Sequence, residues 1–106
     1  MDPVAAVIMT TTNSEQEANS LAFSLIKKKL AACVQIIPKI RSIYAWKGKI
    51  HDDQEYLLLV KAPTNQAEAI KKFIKKNHSY EIPELLVLPV SDGLEKHLGW
   101  MEKVTK

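Results

Sequence analysis

A long, interrupted apolar stretch in the middle of the chain constrains the fold more than any other feature. Residues 30–50 are too rich in β-branched residues to form a loop, and Pro38 and Gly48 prevent them from forming one helix. We predict a long strand with a bulge or a change of partner at Pro38, because proline donates no ladder hydrogen bond. This strand then turns at Gly48 into a second strand over residues 54–62.

Shorter patterns on both sides give the order strand, helix, strand, strand, helix, strand, helix. Residues 5–9 are a continuous apolar run, as in a buried strand, and residues 84–88 predict another apolar strand. Apolar residues at steps of three and four predict three helices, each with a glutamate in its first turn. We predict their caps at Ser14, at Thr64 or Asn65, and at Asp92. Two βαβ halves joined by a hairpin predict an α+β, ferredoxin-like split βαβ fold with a short C-terminal helix, in one domain over residues 1–106.

The length of the central hairpin predicts an assembly. Each arm has roughly 15 residues, whereas strands usually have five or six. Residues 56–60 are apolar enough to be buried on both faces, but the far half of the hairpin, with Tyr44, Trp46 and Ile50, must protrude or be covered by another chain. Since a long exposed edge promotes aggregation, we predict an oligomer in which the hairpin pairs with a neighbour.

The charged residues, the apolar runs and the single cysteine limit the kinds of partner and the cellular location that the sequence predicts. The chain has 15 basic and 12 acidic residues and a net charge of +3. Its lysine runs at residues 27–29, 71–72 and 75–76 have no interleaved aromatic residues, which favours solvated helix faces over a nucleic-acid site. Apolar runs of about five residues are too short to span a membrane, and the N-terminus lacks the basic start of a signal peptide. A single cysteine cannot form an internal disulfide, so we expect a cytoplasmic location.

Two residues, Cys33 and His78, stand out as candidate metal ligands. Cys33 is either a small buried apolar residue or a soft metal ligand or nucleophile. His78 is close in sequence to Tyr80, Glu81 and Glu84, which is denser in coordinating groups than the end of a helix requires. The simpler interpretation is that His78 stabilises the negative end of the helix dipole.

A third group of residues has two interpretations as well. Lys47, Lys49 and Lys61 beside Tyr44, Trp46 and Tyr56 are compatible with an anion site supported by cation–π contacts. Cross-strand pairing of Lys47 or Lys49 with Glu55 is the plainer alternative. Neither a phosphate loop nor a recognisable nucleophile and base motif is present in the sequence, so we do not predict an enzyme.

The residues described above resemble the CutA family of divalent-cation tolerance proteins over nearly the whole chain. The resemblance is carried by LAACV at residues 30–34, Ile37-Pro38, SIYAWKGKI at residues 42–50, Glu55, Lys61, His78, YEIPE at residues 80–84, Pro89-Val90 and Trp100. It implies a ferredoxin-like fold in a homotrimer, similar to the PII signalling proteins, that binds copper or another divalent cation. The implied site lies in a cleft between subunits, with Cys33, His78 and Glu84 as metal ligands and Trp46, Glu55, Lys61 and Tyr80 lining it.

The chain departs from this family pattern at three positions. Gln35 replaces a common asparagine, Ser79 replaces a proline and His97 replaces a tyrosine. Because Ser79 lacks the fixed φ of proline, we expect a looser loop after His78. The function expected from the resemblance is divalent-cation tolerance with metal binding. The alternative is a PII-like signalling or adaptor trimer that binds a small anionic ligand or a partner protein of unknown identity.

Overall fold

The computed structural model describes residues 2–106, and Met1, the first residue of the predicted domain, lies outside the described residues. The described residues form four strands and three α-helices: β1 (Ala5–Thr12), α1 (Glu15–Lys27), β2 (Cys33–Trp46), β3 (Lys49–Pro63), α2 (Ala67–Asn77), β4 (Leu86–Val90) and α3 (Glu95–Lys103). The strands pair antiparallel in one sheet of order β2-β3-β1-β4. This order is the predicted α+β, ferredoxin-like arrangement with its C-terminal helix.

The start of α1 follows the prediction only in part. The hydroxyl of Ser14 accepts a hydrogen bond of 3.1 Å from the backbone N–H of Glu17, so Ser14 is the cap. The Glu17 carboxylate does not return to Ser14 as a full capping box requires; it binds Thr12 and Ser79 instead. The predicted apolar stripe faces the core at Ala18, Leu21, Ala22 and Leu25.

The predicted caps of the other two helices are wrong. The hydroxyl of Thr64 donates to the carbonyl of Pro3, and α2 begins after a 3₁₀ turn over Thr64–Gln66 without a side-chain cap. The carboxylate of Asp92 accepts from the N–H of Gly93, and the cap position of α3 is Leu94. In both cases the polar side chain is hydrogen-bonded to another backbone group, the carbonyl of Pro3 or the N–H of Gly93, and does not cap the helix.

Strands β1 and β4 differ slightly from their predicted bounds. β1 continues to Thr12, three residues past its predicted end at Met9, because its partner β3 continues to Tyr56 opposite. β4 begins two residues after the predicted start at residue 84, ends two residues after the predicted end at residue 88, and contains Pro89. Since β4 pairs only with β1 and lies at the edge of the sheet, a residue without an N–H is tolerated there.

The hairpin matches the prediction in its turn and in its bulge. Lys47 and Gly48 have φ values of 51° and 77°, and Trp46 pairs with Lys49, as a two-residue turn of type I′ requires. The register between β2 and β3 shifts between Ile37 and Ile40, where Pro38 lies. β3 is continuous from Lys49 to Pro63, so it begins five residues before its predicted start at residue 54.

The two faces of the sheet are covered unequally. Helices α1 and α2 cover one face, whose core is Ala6, Ile8, Leu21, Leu25, Leu58, Val60, Ile70 and Ile74. The prediction that residues 56–60 are buried on both faces is wrong for the single chain, since Leu57 and Leu59 are only half-buried on the second face. Helix α3 covers one end of that second face, where Met101 packs near Ala5 and Ala32.

The far half of the hairpin projects from the rest of the molecule. Strand residues beyond the bulge pair only between β2 and β3, because β1 ends opposite Tyr56. Ile43 and Ile50 are 63% and 83% exposed on this arm, and the longest dimension of the chain is 45 Å. The prediction of a protruding arm is thus confirmed. None of the helices among residues 2–106 has the length and apolar character needed to cross a membrane.

Candidate functional site

A cleft of about 580 Å³ lies between the projecting hairpin and the loop that follows α2. It opens at the end of the second sheet face opposite α3, where β1 ends. Its chemically important lining residues are aromatic or acidic: Tyr44, Trp46, Glu55, Tyr80, Glu81 and Glu84. The volume of the cleft lies in the range usual for small-ligand sites, and such sites are commonly lined by aromatic side chains with a few polar groups.

Glu55 is the innermost charged group of the cleft. It is only 6% exposed, and its Oε2 accepts a hydrogen bond of 2.6 Å from the Tyr80 hydroxyl. Burial and this bond to a carboxylate raise the pKa of Tyr80, so the phenol keeps its proton and donates it. No basic side chain among residues 2–106 lies within ion-pair distance of Glu55. Within residues 2–106, Glu55 is thus a buried carboxyl group that accepts a hydrogen bond from Tyr80 and has no ion-pair partner; burying a carboxylate is costly unless it is paired and hydrogen-bonded.

Glu84 is held close enough to Glu55 to sense its charge. Burial and the negative charge of Glu55 both raise the pKa of Glu84 above its ordinary value. The repulsion between two carboxylates in a partly buried cleft decreases when they bind a proton or a cation. The two carboxylates therefore give this part of the cleft a negative potential.

His78 supports the loop and does not face the cleft with a free nitrogen. Its Nε2 lies 2.7 Å from the carbonyl oxygen of Thr11, so this nitrogen carries the proton and donates. Its Nδ1 accepts a bond of 3.0 Å from the backbone N–H of Tyr80. The side chain is fully buried, and both ring nitrogens are engaged in these contacts. His78 thereby fixes the backbone of the residue whose hydroxyl reaches Glu55.

Ser79 ties the same loop to α1. Its N–H and its hydroxyl donate to the two oxygens of Glu17 at 2.8 and 2.7 Å. Burial alone would raise the pKa of Glu17, but the bonds from Thr12 and Ser79 outweigh it and lower the pKa. A proline could not donate the first of these bonds. These two hydrogen bonds hold Ser79 against Glu17; the expectation of a looser loop stays a prediction.

The hairpin wall of the cleft is also held in place. The hydroxyl of Tyr44 donates to Asp53, and its ring stacks on His51 with centroids 5.2 Å apart. The ring of Trp46 has the ammonium of Lys47 at 5.6 Å from its centroid. The aromatic rings are therefore positioned by the strand pairing before any ligand arrives.

Some predicted site residues lie far from this cleft. Cys33 is opposite Lys61 in the pairing of β2 with β3, and Lys61 is six residues along β3 from Glu55. This separation is about 20 Å at the rise of a strand. Lys61 instead lines a smaller cavity of about 230 Å³ beneath α3, together with His97. Of the three predicted metal ligands, only Glu84 lines the cleft.

The predicted lysine arrangements are wrong within one chain. Lys61 lies twelve residues from Lys49 along β3, which is about 40 Å, so the two cannot share an anion site. Glu55 pairs across the sheet with Ile40 and not with Lys47 or Lys49 at the tip. Residues 2–106 also contain no group of three or more His, Cys, Asp and Glu side chains arranged to hold a metal ion.

Sequence reasoning missed the structural role of Glu17. Its position three residues after Ser14 has a complete local explanation as part of a capping box, and that pattern does not indicate a partner elsewhere in the chain. The available signal was Ser79, a hydrogen-bonding residue at a position where the family pattern has proline. A side chain that can donate at such a position indicates an acceptor nearby.

Comparisons with known proteins agree in one family. The family model of the CutA1 divalent ion tolerance protein matches residues 6–104. The divalent-cation tolerance protein CutA of Thermus thermophilus is 40% identical over 99 residues, which cover 93% of this chain and 96% of that protein. Human protein CutA is 41% identical over 103 residues, which cover 97% of this chain but 57% of the human protein. The chain therefore spans little more than half of the human relative.

Solved structures give the same result for the fold. The divalent cation tolerance protein of Thermus thermophilus superposes with a TM-score of 0.91 at 39% identity, covering 96% of this chain and 99% of that chain. CutA1 from a psychrotrophic Shewanella species superposes with a TM-score of 0.94 at 32% identity, covering 99% of this chain and 98% of that chain. The long hairpin and the C-terminal helix are thus part of a shared fold.

Proposed function

The chain belongs to the CutA1 family of divalent ion tolerance proteins, and we propose that it contributes to divalent-cation tolerance by binding such cations in the cleft. The observation that carries this proposal is the pair Glu55 and Glu84. Glu55 is buried without an ion-pair partner in the described part of the chain, residues 2–106, and its charge helps to raise the pKa of Glu84. A divalent cation would displace the proton that this repulsion favours and neutralise both carboxylates.

The donor atoms determine which cations we expect. Carboxylate oxygens suit Mg²⁺, Mn²⁺ and Ca²⁺ and also accept Zn²⁺, whereas thiolate and imidazole favour copper and zinc. Within one chain the thiol of Cys33 lies about 20 Å along the strands from Glu55, and His78 has both nitrogens engaged. We therefore propose oxygen ligation at Glu55 and Glu84. Copper binding by Cys33 and His78 stays a prediction. It requires a site to which another subunit contributes ligands.

We further propose that the protein acts as a homotrimer. The second sheet face carries an apolar strip between α3 and the cleft: Ile37, Met9, Leu57, Leu59, Leu86 and Leu88. Ile37, Leu86 and Leu88 are 42%, 55% and 46% exposed in the single chain. Contiguous apolar surface of this kind marks an association site, and the projecting hairpin offers unpaired strand edge beside it. The sheet faces of neighbouring subunits would cover both.

The alternative function, a PII-like signalling or adaptor trimer for a small anion, receives less support. Among residues 2–106 of one chain, the lining of the cleft contains three glutamates and no lysine, arginine or histidine. To attract an anion, Lys47 and Lys49 at the hairpin tip would have to reach the cleft of a neighbouring subunit. We propose a binding role and not catalysis, in the cytoplasm, where a lone thiol such as Cys33 stays reduced.

Calorimetric titration with Mn²⁺ and Zn²⁺ at pH 7 tests the cation proposal. We expect saturable binding that weakens at least tenfold in Glu55→Gln and in Glu84→Gln. Glu102→Gln is the matched control, since Glu102 is an exposed glutamate on α3 outside the cleft. Unchanged binding in both cleft variants, or loss of binding in Cys33→Ala alone, would move the cation site away from the cleft.

A further inference from the structure

We propose that the outer surface of helices α1 and α2 binds single-stranded nucleic acid without regard to its sequence. These helices cover the sheet face opposite the cation cleft, so binding there is independent of the proposed function. The proposed subunit interface uses the second sheet face, which leaves the outer surface of α1 and α2 accessible in the assembly. This surface combines seven lysines with two phenylalanines.

The positive charge of the protein is concentrated on this surface. Residues 15–29 and 67–77, which contain α1 and α2, have seven lysines and three glutamates, whereas the rest of the chain has eight basic and nine acidic residues. The net charge of +3 therefore comes entirely from these two segments. We name their lysines the lysine face: Lys27, Lys28, Lys29, Lys71, Lys72, Lys75 and Lys76. A surface with one sign of charge attracts an oppositely charged polymer.

Most of the lysine face has no acidic partner. The ammonium of Lys71 lies 2.9 Å from the carboxylate of Glu68, and the other six lysines form no ion pair among residues 2–106. All six are exposed. Each of these ammonium groups is free to contact a phosphate and to displace the counterions that surround a nucleic acid.

Two aromatic rings lie among the lysines. Phe73 separates two of the lysine runs in the sequence, and the Nζ of Lys28 from the neighbouring helix lies 5.9 Å from its ring centroid. Phe23 is 68% exposed and lies one helical turn before Lys27, on the same side of α1. The runs themselves contain no aromatic residue, which favoured solvated helix faces. The packing of the two helices now mixes rings with ammonium groups on one surface.

This mixture determines which polyanion we expect. Proteins bind single-stranded nucleic acid with basic side chains along its phosphates and with aromatic rings on which its bases stack. An acidic peptide or polyphosphate has no base to stack on Phe23. A membrane is less suitable, because an interfacial helix needs a broad apolar face. The apolar stripe of α1 is buried in the core, and only Phe23 and Ile26 are exposed large apolar residues on this helix.

Fluorescence anisotropy with a labelled oligouridylate of about 20 nucleotides tests the proposal. The whole chain is titrated at pH 7 in the presence of a chelator, so that no divalent cation bridges protein and RNA. We expect saturable binding at about 50 mM salt that weakens toward about 200 mM, with a slope of log affinity against log salt of about −0.7 per phosphate contact.

A double substitution tests the lysine face. Lys72→Gln with Lys76→Gln should reduce the magnitude of the salt slope by about 1.4, because two phosphate contacts are lost. Lys96→Gln with Lys103→Gln is the matched control, since these exposed lysines lie on α3, which covers part of the other sheet face. The control should leave the slope unchanged.

Substitutions of Phe23 test base stacking. Phe23→Ala should weaken oligouridylate binding about 5- to 150-fold, the effect of one stacked base, and Phe23→Tyr should restore it. Phe23→Leu keeps an apolar side chain but removes the ring, so its affinity should fall nearly as far as that of Phe23→Ala. Because Phe23 is exposed, all three variants should fold, and thermal melts without RNA check this.

Three results would overturn the nucleic-acid proposal. Absence of saturable binding at about 50 mM salt would leave the lysine face as a solvated surface. Equal binding of polyglutamate with the same number of charges, or full affinity in Phe23→Ala, would show attraction by charge without stacking. Binding to phosphatidylserine vesicles that Phe23→Leu retains, without oligouridylate binding, would assign the surface to a membrane. The cation proposal is tested separately by the Glu55 and Glu84 variants.

Discussion

Tyr80 donates a hydrogen bond of 2.6 Å to Glu55, which lies 25 positions earlier in the chain and on the opposite wall of the cleft. This contact joins the loop after α2 to the hairpin. The loop is in turn fixed by two further contacts, from Tyr80 to His78 and from Ser79 to Glu17. The cleft therefore depends on hydrogen bonds between elements that are distant in sequence.

The first prediction concerns this contact directly. Tyr80→Phe removes the only side-chain donor that we find for Glu55 among residues 2–106, so the free energy of unfolding should fall by about 1–2 kcal/mol at pH 7. Urea denaturation at one fixed protein concentration measures this change. Tyr44→Phe is the matched control, since its bond to Asp53 is solvent-exposed and should matter much less. Equal losses in the two variants would contradict the role assigned to Tyr80.

The second prediction is a pH dependence that arises from Glu17. Because its pKa is lowered in the folded protein, Glu17 stabilises the fold above its ordinary pKa of 4.5. This contribution disappears as the pH falls through the lower pKa of the folded state. Glu17→Gln should therefore be less stable than the parent protein at pH 7, and the difference should vanish in acid. Thermal melts from pH 7 to pH 3 measure it, and a difference independent of pH would contradict the prediction.

The third prediction has the opposite sign. The pKa of Glu84 is raised in the folded protein, so ionised Glu84 lowers stability at pH values above its ordinary pKa of 4.5. Glu84→Gln should be more stable than the parent protein at pH 7 in the presence of a chelator. The gain should disappear at low pH, where the carboxyl is protonated in both folded and unfolded chains. A loss of stability at pH 7 would mean that Glu84 has a favourable partner.

The fourth prediction compares the same substitution at two glycines. Gly48 has φ = 77° in the hairpin turn, whereas Gly99 lies within α3, and an added Cβ meets no atom within 4 Å at either position. Gly48→Ala should lose about 1 kcal/mol of stability through backbone strain. Gly99→Ala should gain up to about 1 kcal/mol through helix propensity. Urea denaturation of both variants should show changes of opposite sign; equal signs would contradict this account of the turn.

The fifth prediction tests the proposed homotrimer. Leu59 lies on the apolar strip of the second sheet face, and Phe23 is 68% exposed on α1 at the opposite face. Leu59→Glu should place a charge in the subunit interface and shift the mass measured by light scattering from trimer toward monomer. Phe23→Glu introduces the same charge away from the strip and should leave the mass unchanged. Trimers in both variants would place the interface elsewhere.

Local sequence signals were sufficient to predict the architecture. Gly48 between apolar runs, Pro38 within a strand and Ser14 before a helical stripe each have few compatible conformations, so the turn, the bulge and the first cap were predicted correctly. Thr64 and Asp92 were assigned as caps wrongly, because Pro3 and Gly93 bind these side chains instead. No local pattern reveals that competition.

The site was harder to predict than the fold, because its geometry depends on the register between strands β2 and β3. Cys33 and His78 both carry ligand chemistry, but the pairing of Cys33 with Lys61 places the thiol about 20 Å from Glu55. The burial of Glu55 was not visible from the sequence either. Glu55 lies on a strand whose next residues are apolar, and only the position of Tyr80 shows that its charge faces a cleft.

The most direct test of the cation site is a crystal structure of protein grown with Mn²⁺, with diffraction data collected for anomalous scattering. We expect an anomalous peak in the cleft within about 2.6 Å of carboxylate oxygens of Glu55 and Glu84. A peak at Cys33 or His78, or no peak in the cleft at Mn²⁺ concentrations that saturate the calorimetric titration, would contradict the proposed site.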